Sequence, residues 1–364
     1  MSDAAIIGAG KTGRGFLARL LSETSGAYGK IILIDRDAEL VSRLRKEKSF
    51  RVGFFGNIRE PYTVSGYEAY TWDSEGLREA LDRCEVIFVS VGGQNLKNVG
   101  ERLKEFVPLS ARAVITAENA SDPAETLRKY LGEKIAISEG TVFCTTIEAD
   151  GLDISSENYP YFQCDKEALQ GWKPESDRIR PVAKFGNFLT RKLYTYNAAS
   201  CVIAYLGYLK GYTVYSDAAN DVEILSMLDE NYAATNRALC REFGYDPADQ
   251  EEFALLSRTK FLDRTIRDTI ARNGRDPQRK LSAGERIMGP MALLYKYGEN
   301  AAVLEQTAAA ALLFDDGEGS AWNRIREEKT PGEILTEICG LKPEDDCFNR
   351  ILSVYTKLKN GTLD

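Results

Sequence analysis

The stretch Gly8-Ala9-Gly10-Lys11-Thr12-Gly13 follows directly on the apolar run Ala4-Ala5-Ile6-Ile7. It opens a helical pattern from Arg14 to about Ser25 that carries Phe16, Leu17, Leu20 and Leu21. GxGxxG alone is a weak signal, but strand, Gly-rich turn and helix in that order narrow the fold to a βαβ dinucleotide-binding unit. Gly8 permits the tight turn, Gly10 lets the backbone approach a pyrophosphate, and Gly13 lets the helix pack close to the sheet. Ala9, Lys11 and Thr12 complete a loop whose N–H groups face phosphates at a helix N-terminus. Asp35 ends the next apolar run, Ile31 to Ile34, at about the 20-residue spacing expected of a carboxylate that binds the adenosine ribose hydroxyls. Such a carboxylate repels a 2'-phosphate and favours NAD, while the adjacent Arg36 leaves NADP open.

Further short apolar runs, Val86 to Val89, Ala113 to Ile115 and Ile135 to Ile137, alternate with helical patterns. One helix opens at Asp122-Pro123-Ala124-Glu125, with an N-cap residue and Pro at the first position. Near-continuous apolar strands alternating with helices predict an α/β fold with a doubly wound parallel sheet. Residues 51–72 read as a short β-excursion. Val91, Gly92 and Asn119 follow two of the strands at their carboxyl ends, where such a sheet binds ligands, although simple turn chemistry explains them equally. From Gly151 to Lys184 the chain reads as a connecting excursion, and beyond Gly186 it is helical almost throughout. A length of 364 residues suits two domains: a Rossmann-like NAD-binding domain over 1–185 and a mainly α-helical substrate-binding and catalytic domain over 186–364.

The chain contains no histidine, which excludes Ser-His-Asp and Cys-His hydrolysis and His-bound metal sites as self-contained machines. Proton transfer falls to Lys, Tyr, Asp, Glu, Cys or water. The formal charge of -8 argues against a nucleic-acid partner and leaves anionic metabolites to local basic clusters. Seven cysteines without a CxxC pair, a start lacking a basic and apolar leader, and no apolar run near 20 residues point to a cytoplasmic protein without a membrane partner.

Thr190 to Cys201 carries the densest chemistry. On an ideal helix Lys192, Tyr196, Ser200 and Asn197 fall at about 0°, 40°, 80° and 140°, so one arc presents an amine, a phenol, a hydroxyl and an amide. Oxidation of an alcohol needs a base for its proton and a donor for its oxygen; a desolvated Lys192 can be the first and Asn197 the second. A solvated basic pair and a satisfied core amide would leave the same pattern. Arg272, Arg275, Arg279 and Lys280 could likewise bind a phosphate or carboxylate, or be neutralised by Asp276 and Glu285.

Three stretches, Gly8 to Phe16, Arg191-Lys192-Leu193-Tyr194-Thr195-Tyr196-Asn197 and Arg279 to Arg286, resemble the polyol-specific long-chain dehydrogenase family over nearly the whole chain. Thr116-Ala117-Glu118-Asn119 is similar to that family's Cys-Glu-Asn strand end, and the length suits its shorter, sugar-phosphate branch. The resemblance implies a zinc-independent, NAD-linked oxidation of a sugar alcohol, with Lys192 as general base and Asn197 as the oxyanion-stabilising amide. Arg272 and Lys280 match the family's substrate-binding Arg and Lys, and Tyr196 and Ser200 join them on the substrate side. Two departures stand out. The family's His, three residues after the Asn, is Ser200 here, which cannot carry charge. An Asp-Arg pair after the last Rossmann strand is replaced by Phe143-Cys144-Thr145-Thr146-Ile147. The expectation is therefore a dehydrogenase of a polyol phosphate with an altered substrate shell. Two alternatives stay open: a hexuronate or aldonate oxidoreductase of the same family, and a non-catalytic NAD-binding sensor.

Overall fold

The computed structural model describes residues 1–107, 109–120 and 122–361, in two compact units, Met1–Gly186 and Asn187–Asp364. In the first, β1 (Asp3–Ile7) leads into a π-helical stretch, Gly13–Ala18, that continues as α1 (Arg19–Glu23). There follow β2 (Ile31–Ile34), α2 (Ala38–Glu47), β3 (Ser49–Phe54), β4 (Tyr62–Ser65), β5 (Glu68–Tyr70), α3 (Leu77–Asp82), β6 (Cys84–Val89), α4 (Leu96–Lys104), β7 (Ala113–Ala117), α5 (Pro123–Leu131) and β8 (Ala136–Thr141). The unit ends with β9 (Thr146–Glu148), β10 (Ile154–Ser156), β11 (Phe162–Asp165) and β12 (Ile179–Val182).

The main sheet runs β12-β11-β8-β7-β6-β1-β2-β5, all pairs parallel except β11 with β8. Strand order reverses between β1 and β6, the switch point at which a doubly wound sheet opens a ligand crevice. Both faces are covered, as near-continuous apolar strands require. Ala4 and Ile6 of β1 enter one core with Phe16, Leu17 and Leu20, while Ala5 and Ile7 enter the other with Leu96, Val99 and Leu127. Pro123 opens α5 as expected, but Asp122 adopts a left-handed conformation (φ 47°) and its side chain makes no cap bond.

Two sequence expectations change. The excursion at 51–72 is β as expected but divided: β3 and β4 pair with each other, while β5 adds an edge to the main sheet. The stretch 151–184 is not a bare connection. It supplies β11 and β12 to the main sheet, and β10, which joins β3 in parallel to complete a second sheet, β4-β3-β10-β9. Pairing between segments about a hundred residues apart leaves no mark in local sequence pattern.

The second unit holds α6 (Phe185–Lys192), a π-helical turn Leu193–Asn197, α7 (Ala198–Leu209), α8 (Tyr215–Ala219), α9 (Val222–Phe243), α10 (Pro247–Leu262), α11 (Ile270–Gly274) and α12 (Pro277–Lys280). After them come α13 (Met288–Tyr297), α14 (Ala302–Leu313), α15 (Ala321–Glu328), α16 (Pro331–Glu337) and α17 (Asp346–Lys359). Buried α7, nearly all apolar, is the central rod. Thr330 and Glu333 form the expected capping box at α16, with both reciprocal bonds present. No described helix is long and apolar enough to cross a membrane.

Candidate active site

The Gly-rich loop has the shape its sequence demands. Gly8 has φ +97°, and a Cβ there would lie 2.0 Å from the Ser90 carbonyl oxygen; a Cβ on Gly13 would lie 1.9 Å from that of Gly8. At Gly10 an added Cβ meets nothing within 4 Å, so its surface is open for a pyrophosphate while its two neighbours are fixed by backbone contact. Asp35 is tied to the loop, its Oδ2 accepting from the Ala9 N–H at 2.8 Å and its Oδ1 from the Asp37 N–H. Lys11 and Arg36 are exposed beside it and Thr12 is half-buried. Arg14 is an unforeseen part of this scaffold: buried, it donates to the Ala9 carbonyl at 2.6 Å, and burial lowers its pKa.

The two strand ends are joined by a residue that the sequence pattern did not single out. Glu118, buried, accepts with one carboxylate oxygen from the N–H groups of both Val91 (2.6 Å) and Gly92 (2.9 Å), and burial raises its pKa. The N–H groups of Val91 and Gly92 are therefore engaged within the protein. Asn119 stays exposed beyond β7, donating to the Val142 carbonyl and accepting from Thr141. These contacts fix the crevice wall beside β6 and β7.

In the second unit, Lys192 ends α6 and Asn197 ends the π-helical turn. That turn is closed by the Ala198 N–H bonding back to the Leu193 carbonyl, an i→i+5 bond that widens the helix. An ideal α-helix would put Asn197 about 140° round the axis from Lys192; a wider turn brings the residue five on nearly above it. Tyr196 is buried, its ring edge-on to Phe253 at 5.1 Å and to Phe261 at 6.4 Å.

The Arg191-Lys192 pair is not a solvated basic pair. Arg191 is buried, its Nε donating to Gln250 at 2.7 Å and its other nitrogen to Asp249, with Tyr245 and Phe253 rings against the guanidinium. Gln250, wholly buried, donates onward to Thr195 Oγ1 and Asn236 Oδ1. One amide thus holds residues on either side of Lys192. Lys192 retains some accessible surface, yet the protein around it displaces most solvating water, and with Lys260 and Arg286 nearby its amine is pushed down to about 7.

A cavity of about 530 Å³ gathers Asn197, Ser200, Arg272, Arg275, Lys280 and Arg286, with Asp276, Arg279 and Asp316 also on its wall. The expected residues Asn197, Ser200, Arg272 and Lys280 are brought together here. Lys280 is buried, donates to the Asn273 carbonyl and lies over the Tyr205 ring; desolvation pulls it down to about 8. Ser200 lies by the buried Tyr215 hydroxyl.

Residues 184–335 match the mannitol dehydrogenase C-terminal domain, and residues 4–155 match ketopantoate reductase PanE/ApbA. A mannitol-1-phosphate 5-dehydrogenase of Paenarthrobacter aurescens is 30% identical over 365 residues, covering 94% of this chain and 95% of that protein. The chain belongs to the mannitol dehydrogenase family. Another family member, a mannitol-1-phosphate 5-dehydrogenase of Podospora anserina, is 27% identical across 97% of this chain and 96% of its own length. The same fold occurs in a crystal structure of D-sorbitol dehydrogenase, with TM-score 0.79 and 12% identity over 99% of this chain and 93% of that one. It occurs also in a Pseudomonas fluorescens mannitol 2-dehydrogenase solved as a ternary complex with NAD and D-mannitol, with TM-score 0.68 and 13% identity over 99% and 92%. Within the family fold, the departure at Phe143 to Ile147 lies in the first unit. Phe143 stacks on Tyr159 at 5.3 Å, and Thr146 pairs with Ser156 between β9 and β10.

Proposed function

We propose that this chain is a zinc-independent, NAD-dependent polyol dehydrogenase whose substrate is a polyol phosphate and whose product is the corresponding ketose phosphate. The observation that carries the reading is a lysine held near neutrality, with an amide set one widened turn from it. The family relationship supports the polyol class, and the curated relatives' names support the phosphate. NAD rather than NADP is supported by Asp35 at the end of β2 and by the open surface of Gly10. When bound, NAD⁺ supplies the acceptor for the hydride leaving the carbinol carbon.

In oxidation, the Lys192 amine in its neutral form takes the hydroxyl proton at Nζ, while the Asn197 amide donates to the oxygen as it gains charge. In reduction, the ammonium returns that proton to the ketose oxygen. Arg272 and Lys280 hold the substrate, with Ser200 beside them in place of the family's imidazole. No histidine is present, so the proton passes through the lysine amine rather than an imidazole. Arg272 and Lys280 suit a carboxylate as well as a phosphate, which favours one second reading, a hexuronate or aldonate as substrate.

The experiment is NADH formation with hexitols, pentitols, their phosphates and aldonates, in parallel with Lys192→Ala. Turnover on polyol phosphates, reduced about 10²- to 10⁴-fold in the variant with NAD binding retained, is the expected result. Preferred turnover of aldonates would move the substrate class to the second reading. Tight NAD binding without turnover on any substrate would make the chain a sensor.

A further inference from the structure

We propose that Arg275 and Asp316 form a two-pole acceptor site in the second unit, Arg275 taking the phosphate of a phosphorylated polyol and Asp316 one of its hydroxyls. The proposal rests on the substrate class argued above and assigns residues to it. Five cations line the cavity, but most are already engaged. Arg272 pairs with Asp268 at 2.5 Å, Arg279 with Asp276 at 2.6 Å and Arg286 with Glu285 at 3.1 Å. Lys280 donates to the Asn273 carbonyl. Arg275 is exposed, and among the described residues no carboxylate pairs with its guanidinium.

Its backbone is nevertheless fixed. Arg275 caps α11, its N–H bonded to the Ala271 carbonyl, and Asp276 next to it opens α12. The Asp276 N–H donates to Asp316 Oδ2 at 3.1 Å, so Asp316 is tied to the residue that follows Arg275. The other carboxylate oxygen, Asp316 Oδ1, is buried without a hydrogen-bond partner. A buried carboxylate oxygen left unpaired is costly; Oδ1 is closed to solvent, so a ligand hydroxyl satisfies it once the Asp316 side chain turns toward the cavity it lines.

The two poles ask for different things from one ligand. Arg275 presents a planar fork suited to two oxygens of an anion, whereas Asp316 accepts only from a donor. A neutral polyol satisfies Asp316 alone, and inorganic phosphate satisfies Arg275 alone. A phosphate, rather than a carboxylate, matches the charge count, because Arg275 and Lys280 are the two lining cations without a carboxylate partner. Three phosphate oxygens can bond both.

The test compares wild type with Arg275→Gln, Arg275→Lys and Asp316→Asn, using Arg258→Gln, whose pair with Asp229 lies away from the cavity wall, as the control. Steady-state rates are measured with a hexitol 1-phosphate and with the unphosphorylated hexitol, and thermal shifts with the hexitol phosphate and with inorganic phosphate. Arg275→Gln is expected to raise KM for the phosphate ester about 10- to 100-fold, with kcat changed less than about threefold and KM for the neutral hexitol unchanged. Arg275→Lys should fall between, keeping the charge and losing the fork. Asp316→Asn should raise KM for both polyols and leave the shift by inorganic phosphate intact. An unchanged ratio of the two KM values in Arg275→Gln overturns the assignment. If wild type turns over no polyol phosphate, the substrate reading fails on its own and binding decides. A thermal shift by hexitol phosphate that disappears in Arg275→Gln keeps the acceptor site; an equal or absent shift removes it.

Discussion

Replacing Lys192 by Met keeps a linear chain of similar length and removes only the amine, which makes its stability a direct readout of the base. In the unfolded chain the amine holds its proton up to about 10.5 and in the folded protein only up to about 7. Between those limits the unfolded state binds more protons, so this group makes folding more favourable as pH rises. Below about 7 both states carry the proton and the full cost of burying an ammonium near Lys260 and Arg286 remains. At about 1.4 kcal/mol for each pH step, that cost is about 5 kcal/mol. Lys192→Met should therefore be more stable than wild type by a few kcal/mol near pH 6. The gain should shrink by about 1.4 kcal/mol per pH step between roughly pH 7 and pH 10. Urea unfolding of both proteins at several pH values measures the difference directly. The same titration should appear in kcat/KM for polyol oxidation as a tenfold rise per pH unit below about 7 and a plateau above it. A wild-type-to-variant gap that stays constant from pH 6 to pH 10 would refute the argument, because Lys192 would then titrate as an ordinary lysine.

Asp35→Ala should weaken stabilisation by NAD more than by NADP, since the carboxylate favours ribose hydroxyls and repels a 2'-phosphate; thermal shifts with each nucleotide check it. Gly10→Ala should fold with near-normal stability and lose dinucleotide binding. Gly8→Ala, facing φ +97° and the Ser90 carbonyl, should lose about 3 kcal/mol or more of stability, and comparing the two unfolding midpoints separates a binding surface from a turn. Gln250→Leu strands Arg191 Nε, Thr195 and Asn236, and should cost about 2 to 4 kcal/mol. Its kcat should fall more than its KM rises, and equal losses in both would show that the amide serves stability alone.

The dinucleotide unit was legible because its determinants are local: strand, turn and helix adjoin in sequence, and Gly8 and Gly13 answer to backbone contacts within the unit while Gly10 stays open. β10 pairs with β3 and β11 with β8, and such distant pairings could not be read from 151–184. Lys192 and Asn197 were proposed from motif and resemblance rather than from the helical wheel, which assumes a uniform turn that the π-helical stretch Leu193–Asn197 does not keep. Glu118 stood in plain view beside Asn119, but its role needs two N–H groups some 26 residues away. Gln250 gave no signal at all, being buried against an arginine 59 positions earlier. The resemblance set Arg272 above Arg275 and Arg279; the ion pairs of Arg272 with Asp268 and of Arg279 with Asp276 needed the structure.

The widened turn at Leu193–Asn197 also gives this helix something like a reading frame. Relative to an unbroken α-helix, it accommodates one supernumerary residue. A deletion of a single residue within 193–196 would let the α-helical ladder close again with little loss of hydrogen bonding. Everything that follows would keep nearly its angle to Lys192, because five residues of the widened turn and four of an α-helix each make little more than one turn. Asn197 and Ser200 would stay on the cavity wall, and buried Ala198, Cys201 and Val202 would keep their packing around α7. Elsewhere along this helix a lost residue would turn the whole rod by about 100°, so the widened turn is the one stretch of it where the count can change and the register survive.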